Sequence, residues 1–239
     1  MSAQQTPLLN YEFNDGISKI TLDDGKANVM SVQMQAQINE ALDKAEADGG
    51  VVVITGRAGI LSGGFDLGTF KRGDVEECMQ MLVGGAELSY RFLSFPTPVI
   101  VACTGHAIAM GAFMLLSTDY RIAADGDAKF AANEVAIGMT VPYFAIEVCR
   151  QRIDPRALSR AVDLAQVFDV NTGLQAGFID EVCSPENLMK TAMDKASEFM
   201  NLNLSSHKET KLRLREHLLK DLRTAIERDA HHWAQSYSH

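Results

Sequence analysis

The sequence predicts an α/β fold in which short buried strands alternate with helices. Two apolar runs of strand length, Val51-Val-Val-Ile54 and Val99-Ile-Val-Ala102, each lead into a loop of small residues that opens a helix. Segments with helical spacing separate successive strands, which demands crossover connections, parallel pairing and a right-handed path. A chain of 239 residues with 46% hydrophobic and 22% charged content can bury one substantial core. No segment approaches the roughly 20 unbroken apolar residues that span a bilayer, so no membrane association is expected.

The elements follow in order. Tyr11 to Leu22 alternates apolar and polar residues around Asn14-Asp-Gly16, a strong hairpin signal. Ser31 caps a helix whose apolar positions Val32, Met34, Ile38, Ala41, Leu42 and Ala45 run to Gly49-Gly50. After the buried strand Val51 to Ile54, helical spacing returns from Asp74 to Leu93, and Phe95-Pro-Thr-Pro98 stops it. The strand Val99 to Ala102 follows, then a helix from Met110 to Thr118 that is apolar on every side. Asp119 to Ala124 and Lys129 to Ala131 read as short strands divided by Asp125-Gly-Asp127. Helices dominate after Tyr143: Asp154-Pro155 starts one, Val170-Asn-Thr172 caps another, Gly177 to Val182 is a short strand, and Pro185 opens a long helical tail to about Trp233. The organisation is a core over residues 1–182 and a helical region over 183–239.

A net charge of -9 weighs against nucleic acid, whose phosphates require clustered Lys and Arg. Basic residues do gather between His207 and Arg228, where they serve either as a solvated helix face or as contacts for a small anion. Cys78, Cys103, Cys149 and Cys183 form no CxxC pair, which argues against a zinc knuckle, a dithiol centre or a disulfide framework and leaves buried thiols. No metal site is found. The N-terminal stretch Met1 to Asn10 has the character of neither a signal nor a transit peptide, so a cytoplasmic location is expected.

Three places can carry chemistry. The loops Ile60-Leu-Ser-Gly-Gly-Phe-Asp-Leu67 and Thr104-Gly-His-Ala-Ile-Ala-Met-Gly111 present unpaired N–H groups at helix starts, where an anion or developing oxyanion is favoured. The third is Asn133-Glu134. A carboxylate among Phe130, Ala131, Ala132, Val135 and Ala136 is partly desolvated, which raises its pKa and suits it to proton transfer near neutral pH. The plainer role for Glu134 and Asn133 is at a helix N-terminus. His106 reads as packing, Asp66 as the cap of the helix behind it, and His231-His232-Trp233 as a tail contact.

The ordered set Leu61-Ser-Gly-Gly-Phe-Asp-Leu67, Thr104 to Gly111, Thr118-Asp-Tyr-Arg-Ile122, Asn133-Glu-Val-Ala-Ile-Gly138 and Asn171 to Val182 resembles the crotonase (enoyl-CoA hydratase/isomerase) superfamily across nearly the whole chain. The resemblance implies a ββα spiral core, a helical C-terminal region that helps trimerise, and an acyl-CoA thioester as substrate with no further cofactor. It places the two oxyanion-hole N–H donors on Phe65 and Met110. It also assigns coenzyme A contacts to Lys26, Ala27, Val29 and Lys211. A homotrimer or dimer of trimers is the expected assembly.

Family hydratases use two glutamates to activate one water. The second aligns with Glu134, but the first falls on Phe113, which cannot activate water. A lone carboxylate fits a Δ3-Δ2-enoyl-CoA isomerase, in which Glu134 moves a proton from C2 to C4 of the thioester. Phe113, Asn133, Tyr143 and Phe144 are the expected acyl-pocket residues. The alternatives are a hydratase or another lyase of the same fold, and a catalytically silent acyl-CoA binding subunit.

Overall fold

A computed structural model of the chain describes residues 6–236. The first five residues, part of the stretch read as lacking a leader, and the last three lie outside the described residues. The chain opens with the expected hairpin, β1 (Leu9–Asn14) antiparallel to β2 (Ile17–Leu22), with Asn14 opposite Ile17. Its turn residues Asp15 and Gly16 have φ of 50° and 76°, the doubly positive backbone that matches the twist of the flanking strands. Helix α1 (Val32–Asp48) starts where the Ser31 side chain accepts the Met34 N–H and stops at Gly49.

Three successive units then repeat one plan. The first is β3 (Val51–Thr55), β4 (Gly59–Ser62), the short α2 (Leu67–Arg72) capped by Asp66, and α3 (Val75–Ser94) capped by Asp74. The second is β5 (Val99–Cys103), β6 (Gly105–Ile108) and α4 (Met110–Leu116). The third is β7 (Tyr120–Ala124), β8 (Phe130–Ala131) and a 3₁₀ turn at Val135–Ile137. After these come α5 (Tyr143–Arg152), α6 (Pro155–Val162), α7 (Val170–Ala176), β9 (Glu181–Cys183), α8 (Leu188–Phe199), α9 (Leu204–Leu214) and α10 (Glu216–Ser236).

Each unit gives one strand to a six-stranded sheet ordered β1-β2-β3-β5-β7-β9 and one to a three-stranded sheet ordered β4-β6-β8. All pairs beyond the hairpin are parallel. This is the ββα spiral that the resemblance implies. Of the small sheet only β8 is read from the sequence, as the strand Lys129 to Ala131; β4 and β6 escape because Gly59-Ile-Leu-Ser62 and Gly105-His-Ala-Ile108 mix glycine and polar residues and look like loop.

The large sheet is buried on both faces, which explains the unbroken apolar runs of β3 and β5. Val52, Ile54, Val99 and Val101 face the main core with α1, α3, α4, α5 and α10. Val51, Val53, Ile100, Ala102 and Ile122 face a second core closed by Leu188, Ala192 and Ala196 of α8.

Three local readings change. The cap of α7 is Asp169, whose carboxylate accepts the Thr172 N–H while the Thr172 hydroxyl accepts the Asp169 N–H, so the cap lies one residue ahead of Val170-Asn-Thr172. Gly177 ends α7 with φ 90°, and the following strand starts at Glu181. The tail is three helices, because Asn203 restarts the chain as a new N-cap and the backbone leaves helical geometry at Arg215. Helix α8 covers the back of the sheet, while α10 lies across α3 and α5 of its own chain.

One carboxylate ties these layers together. Asp119, at the end of α4, accepts the Val99 N–H at 2.8 Å, the Lys211 ammonium at 2.7 Å and the Arg215 guanidinium at 2.8 Å. Arg215 also donates to the Leu93 carbonyl at the end of α3. Burial alone would raise the Asp119 pKa, but Lys211 and Arg215 outweigh it and hold the carboxyl below the ordinary value.

Removing the shared acceptor with Asp119→Ala leaves two buried cations unpaired and should lower the unfolding free energy by about 3–5 kcal/mol in urea. Breaking the exposed Lys190–Asp194 pair should cost less than about 1 kcal/mol. Because the folded-state pKa of Asp119 is depressed, its contribution is present above the unfolded value and should disappear as pH falls below about 4.

Candidate active site

Strands β4 and β6 run parallel with Gly59 opposite Gly105 and Ile60 opposite His106, so the loops that leave them start side by side. Their approach is set at Gly64, where φ is 95°. A Cβ there would lie 2.9 Å from both the Ala109 Cβ and the Ile108 carbonyl oxygen, and 3.5 Å from the Met110 nitrogen. The amides of Phe65 and Met110 are thereby brought together, and no acceptor for either N–H is found among the described residues. Ala109 holds φ 51° and ψ -123°, an uncommon backbone for a residue with a side chain. That kink makes Met110 the first residue of α4, whose N–H has no intrahelical partner.

A second layer fixes the first loop. The Ser62 hydroxyl donates to the Asn28 carbonyl at 2.7 Å and accepts the Gly64 N–H at 3.2 Å. Buried Asn28 donates from its amide to the Leu22 and Leu61 carbonyls. The Gly63 N–H reaches the Ala27 carbonyl at 2.8 Å, so the segment Lys26 to Val29 borders the loop. Within it Lys26 is exposed, while Ala27 and Val29 are half-buried. Asn28 and Ser62 are missed by sequence reasoning, although an asparagine is among the residues that best tolerate the positive φ of 49° found there.

The bulky side chains of Phe65 and Met110 meet at one point of α3. The Phe65 ring rests where α3 has Gly85, since a Cβ on Gly85 would come within 2.6 Å of that ring and 3.1 Å of the Met110 sulfur. Met110 is wholly buried in the core, whereas Phe65 faces a cavity of about 250 Å³. Asn133, Glu134, Met139 and Trp233 form other parts of its wall.

Glu134 sits at the junction of β8 and the 3₁₀ turn, 5% exposed, and its side chain caps nothing. Its Oε2 has no hydrogen-bond partner, nor does the buried Oδ1 of Asn133. Burial pushes the Glu134 carboxyl up to about 7. Among the described residues lining the cavity it is the sole ionisable side chain. Glu134 shares this cavity with Phe65, whose N–H is unpaired, and with Ala109, the residue before Met110, and a carboxyl with its pKa near 7 among apolar walls can take up and return a proton.

Several expected site residues lie elsewhere. Phe113 is fully buried in the core, edge-on to Phe144 at 5.8 Å, and neither ring lines the cavity. All of α4 is buried, so its position three residues after Met110 faces α5 instead of the substrate side. Tyr143 is 42% exposed at the start of α5, with the Arg228 guanidinium 3.8 Å over its ring, and also lies outside the lining. Lys211 is 4% exposed and bound to Asp119, so it is not free to meet a phosphate. His106 accepts the Lys129 N–H through Nδ1, a packing role. No group of three or more His, Cys, Asp or Glu residues able to hold a metal occurs among the described residues.

A spiral of ββα units with a large and a small parallel sheet, whose small-sheet loops border a cavity holding one buried carboxylate, defines a protein of the crotonase type. The chain belongs to the enoyl-CoA hydratase/isomerase family, whose model matches residues 12–239. It is 44% identical to a probable enoyl-CoA hydratase of Mycobacterium tuberculosis, with a TM-score of 0.93 over 97% of this chain and 98% of that one. A structure described as an enoyl-CoA isomerase of the same organism is 46% identical, with a TM-score of 0.88 over 92% of this chain and 96% of that one. The human mitochondrial enoyl-CoA delta isomerase 1 is 24% identical over 98% of this chain and 79% of its own length. Among the described residues no helix is long and apolar enough to cross a membrane.

The raised pKa of Glu134 has a cost in stability. The folded state holds this proton more tightly than the unfolded state, so ionisation between pH 4.5 and about 7 opposes folding. Glu134→Gln should therefore be more stable than the wild type at pH 8, by about 3 kcal/mol at most, and the difference should close below about pH 5. Thermal unfolding at the two pH values measures it.

Proposed function

We propose that the protein is a Δ3-Δ2-enoyl-CoA isomerase. The single observation that carries this reading is the lone ionisable group among the described residues of the cavity, a buried carboxylate with its pKa near 7, in a wall shared with Phe65 and Ala109 of the two loops. The thioester oxygen accepts the N–H groups of Phe65 and Met110. The Glu134 carboxylate takes a proton from C2, and the electron pair moves into the thioester as an enolate. The same carboxyl returns the proton to C4 as the double bond shifts, so the reaction needs no water and no second acid. An oxyanion-hole donor contributes on the order of 3–4 kcal/mol to such a barrier. Lys26, Ala27 and Val29, beside the first loop, are proposed to meet the coenzyme A portion, with the thioester itself and no resident cofactor supplying the chemistry.

Hydration has one observation in its favour. The unpartnered Asn133 oxygen beside Glu134 could accept a hydrogen from a water held between them. Phe113, however, puts no second carboxylate at the cavity. Supplying 3-enoyl-CoA and 2-enoyl-CoA separately distinguishes the two. Conversion of the first to the second supports isomerisation, and hydration of the second with no shift of the first would reject it.

Glu134→Gln should lower kcat by about 10²–10⁴-fold without a matching change in thioester affinity. Wild-type kcat/KM should rise with pH and level off above about 7, as the carboxyl loses its proton. Gly64→Ala should cost about 10²-fold in kcat, because its Cβ would press the two oxyanion loops apart.

A further inference from the structure

Helix α10 carries an apolar stripe at alternating spacings of three and four: Leu219, Leu222, Ile226, position 229 and Trp233. At position 229 the stripe is broken by an aspartate that is 2% exposed. A carboxylate in such a place is costly unless it is bonded. Asp229 accepts the Tyr143 N–H at 2.9 Å and the Phe144 N–H at 2.8 Å, two of the orphan donors at the start of α5. The contact fixes both the rotation of α10 and its position along α5. Tyr143 follows directly on the segment from Asn133 to Pro142 that supplies the catalytic side of the cavity.

One turn beyond Asp229, Trp233 meets the Phe144 ring edge-on at 6.5 Å and lines the cavity. The oxyanion loops bound the other part of the wall and hold the thioester end. The remaining walls come from α2, α3 and the Glu134 segment, and α10 adds Trp233 and Ser236. A flat indole backed by Phe144, itself backed by Phe113, cannot yield as a lone leucine or methionine could.

We propose that Trp233 sets the length of acyl chain the cavity accepts, held in place by the Asp229 bond to α5. The inference rests on the acyl-thioester reading above and adds its specificity determinant. Chains that end before the indole gain apolar contact with it, and longer chains are rejected. Trp233→Ala opens the wall and favours longer chains, whereas Trp233→Phe falls between.

The test measures kcat/KM for 3-enoyl-CoA substrates of six to sixteen carbons with the wild type and both variants, each checked for an unchanged circular dichroism spectrum and melting temperature. The expected result is a rise of at least about tenfold in the ratio of long-chain to short-chain kcat/KM for Trp233→Ala. An unchanged ratio in a folded, active variant overturns the proposal. A second measurement needs neither turnover nor a variant, because Trp233 is the chain's single tryptophan. Its emission in the wild-type protein should respond to saturated acyl-CoA titrated in, more strongly as the chain lengthens toward the preferred size, and not to coenzyme A alone. An identical response to coenzyme A and to every acyl-CoA also overturns it. A wild type that turns over no 3-enoyl-CoA rejects the isomerase reading, and the fluorescence series then decides the role of Trp233 on its own.

Discussion

The parallel pairing of two four-residue strands, β4 and β6, governs the chemistry of this molecule because it brings two loop backbones closer than side chains would allow. Glycines stand where they come closest: a Cβ on Gly105 would lie 1.9 Å from the Gly59 backbone, one on Gly111 2.4 Å from the Ser62 carbonyl oxygen, and one on Gly64 2.9 Å from Ala109, whose own backbone is kinked. Neither strand buries much by itself. They are held by what surrounds them: α4 packed on both, Asn28 and Ser62 bonding the first loop from one side, and α3 yielding space at Gly85 from another. A donor pair made of backbone tolerates bulky residues at both positions, so Phe65 and Met110 keep the N–H groups while their side chains reshape the cavity or fill the core.

Electrostatics is arranged in opposite ways at the two key carboxylates. Asp119 is half-buried with three donors and stays ionised, and it fastens strands to helices. Glu134 is buried with an oxygen left unpaired, and its proton affinity is raised into the working range. The first arrangement supports the second, since a site that leaves a polar atom unsatisfied must rest on a frame that does not relax around it.

The hairpin, the α1 caps, and the strands β3 and β5 are legible in the sequence because their signals are local: a turn pair, a serine at the right offset, an apolar run. Glu134 and the two loops are legible as an ordered set. Strands β4 and β6 of the small sheet are not, since Gly59 to Ser62 and Gly105 to Ile108 form strands only through one another. Phe113 and Lys211 are assigned to the site by the family resemblance, which does not say which way a residue faces in this chain. For Phe113 the answer depends on the packing of α5, and for Lys211 on Asp119, 92 residues away. Trp233 reads as a tail contact because nothing near it in sequence names the cavity it reaches.

That last placement bears on the order in which the site is built. The loops after β4 and β6 and Glu134 all precede α5 in the chain, yet the cavity wall on α10 arrives some 90 residues later and is fastened to α5 by Asp229. During synthesis these groups therefore emerge before their enclosure does. Contacts this distant in sequence close slowly relative to local ones. The apolar cavity is therefore enclosed only once α10 has docked on α3 and α5.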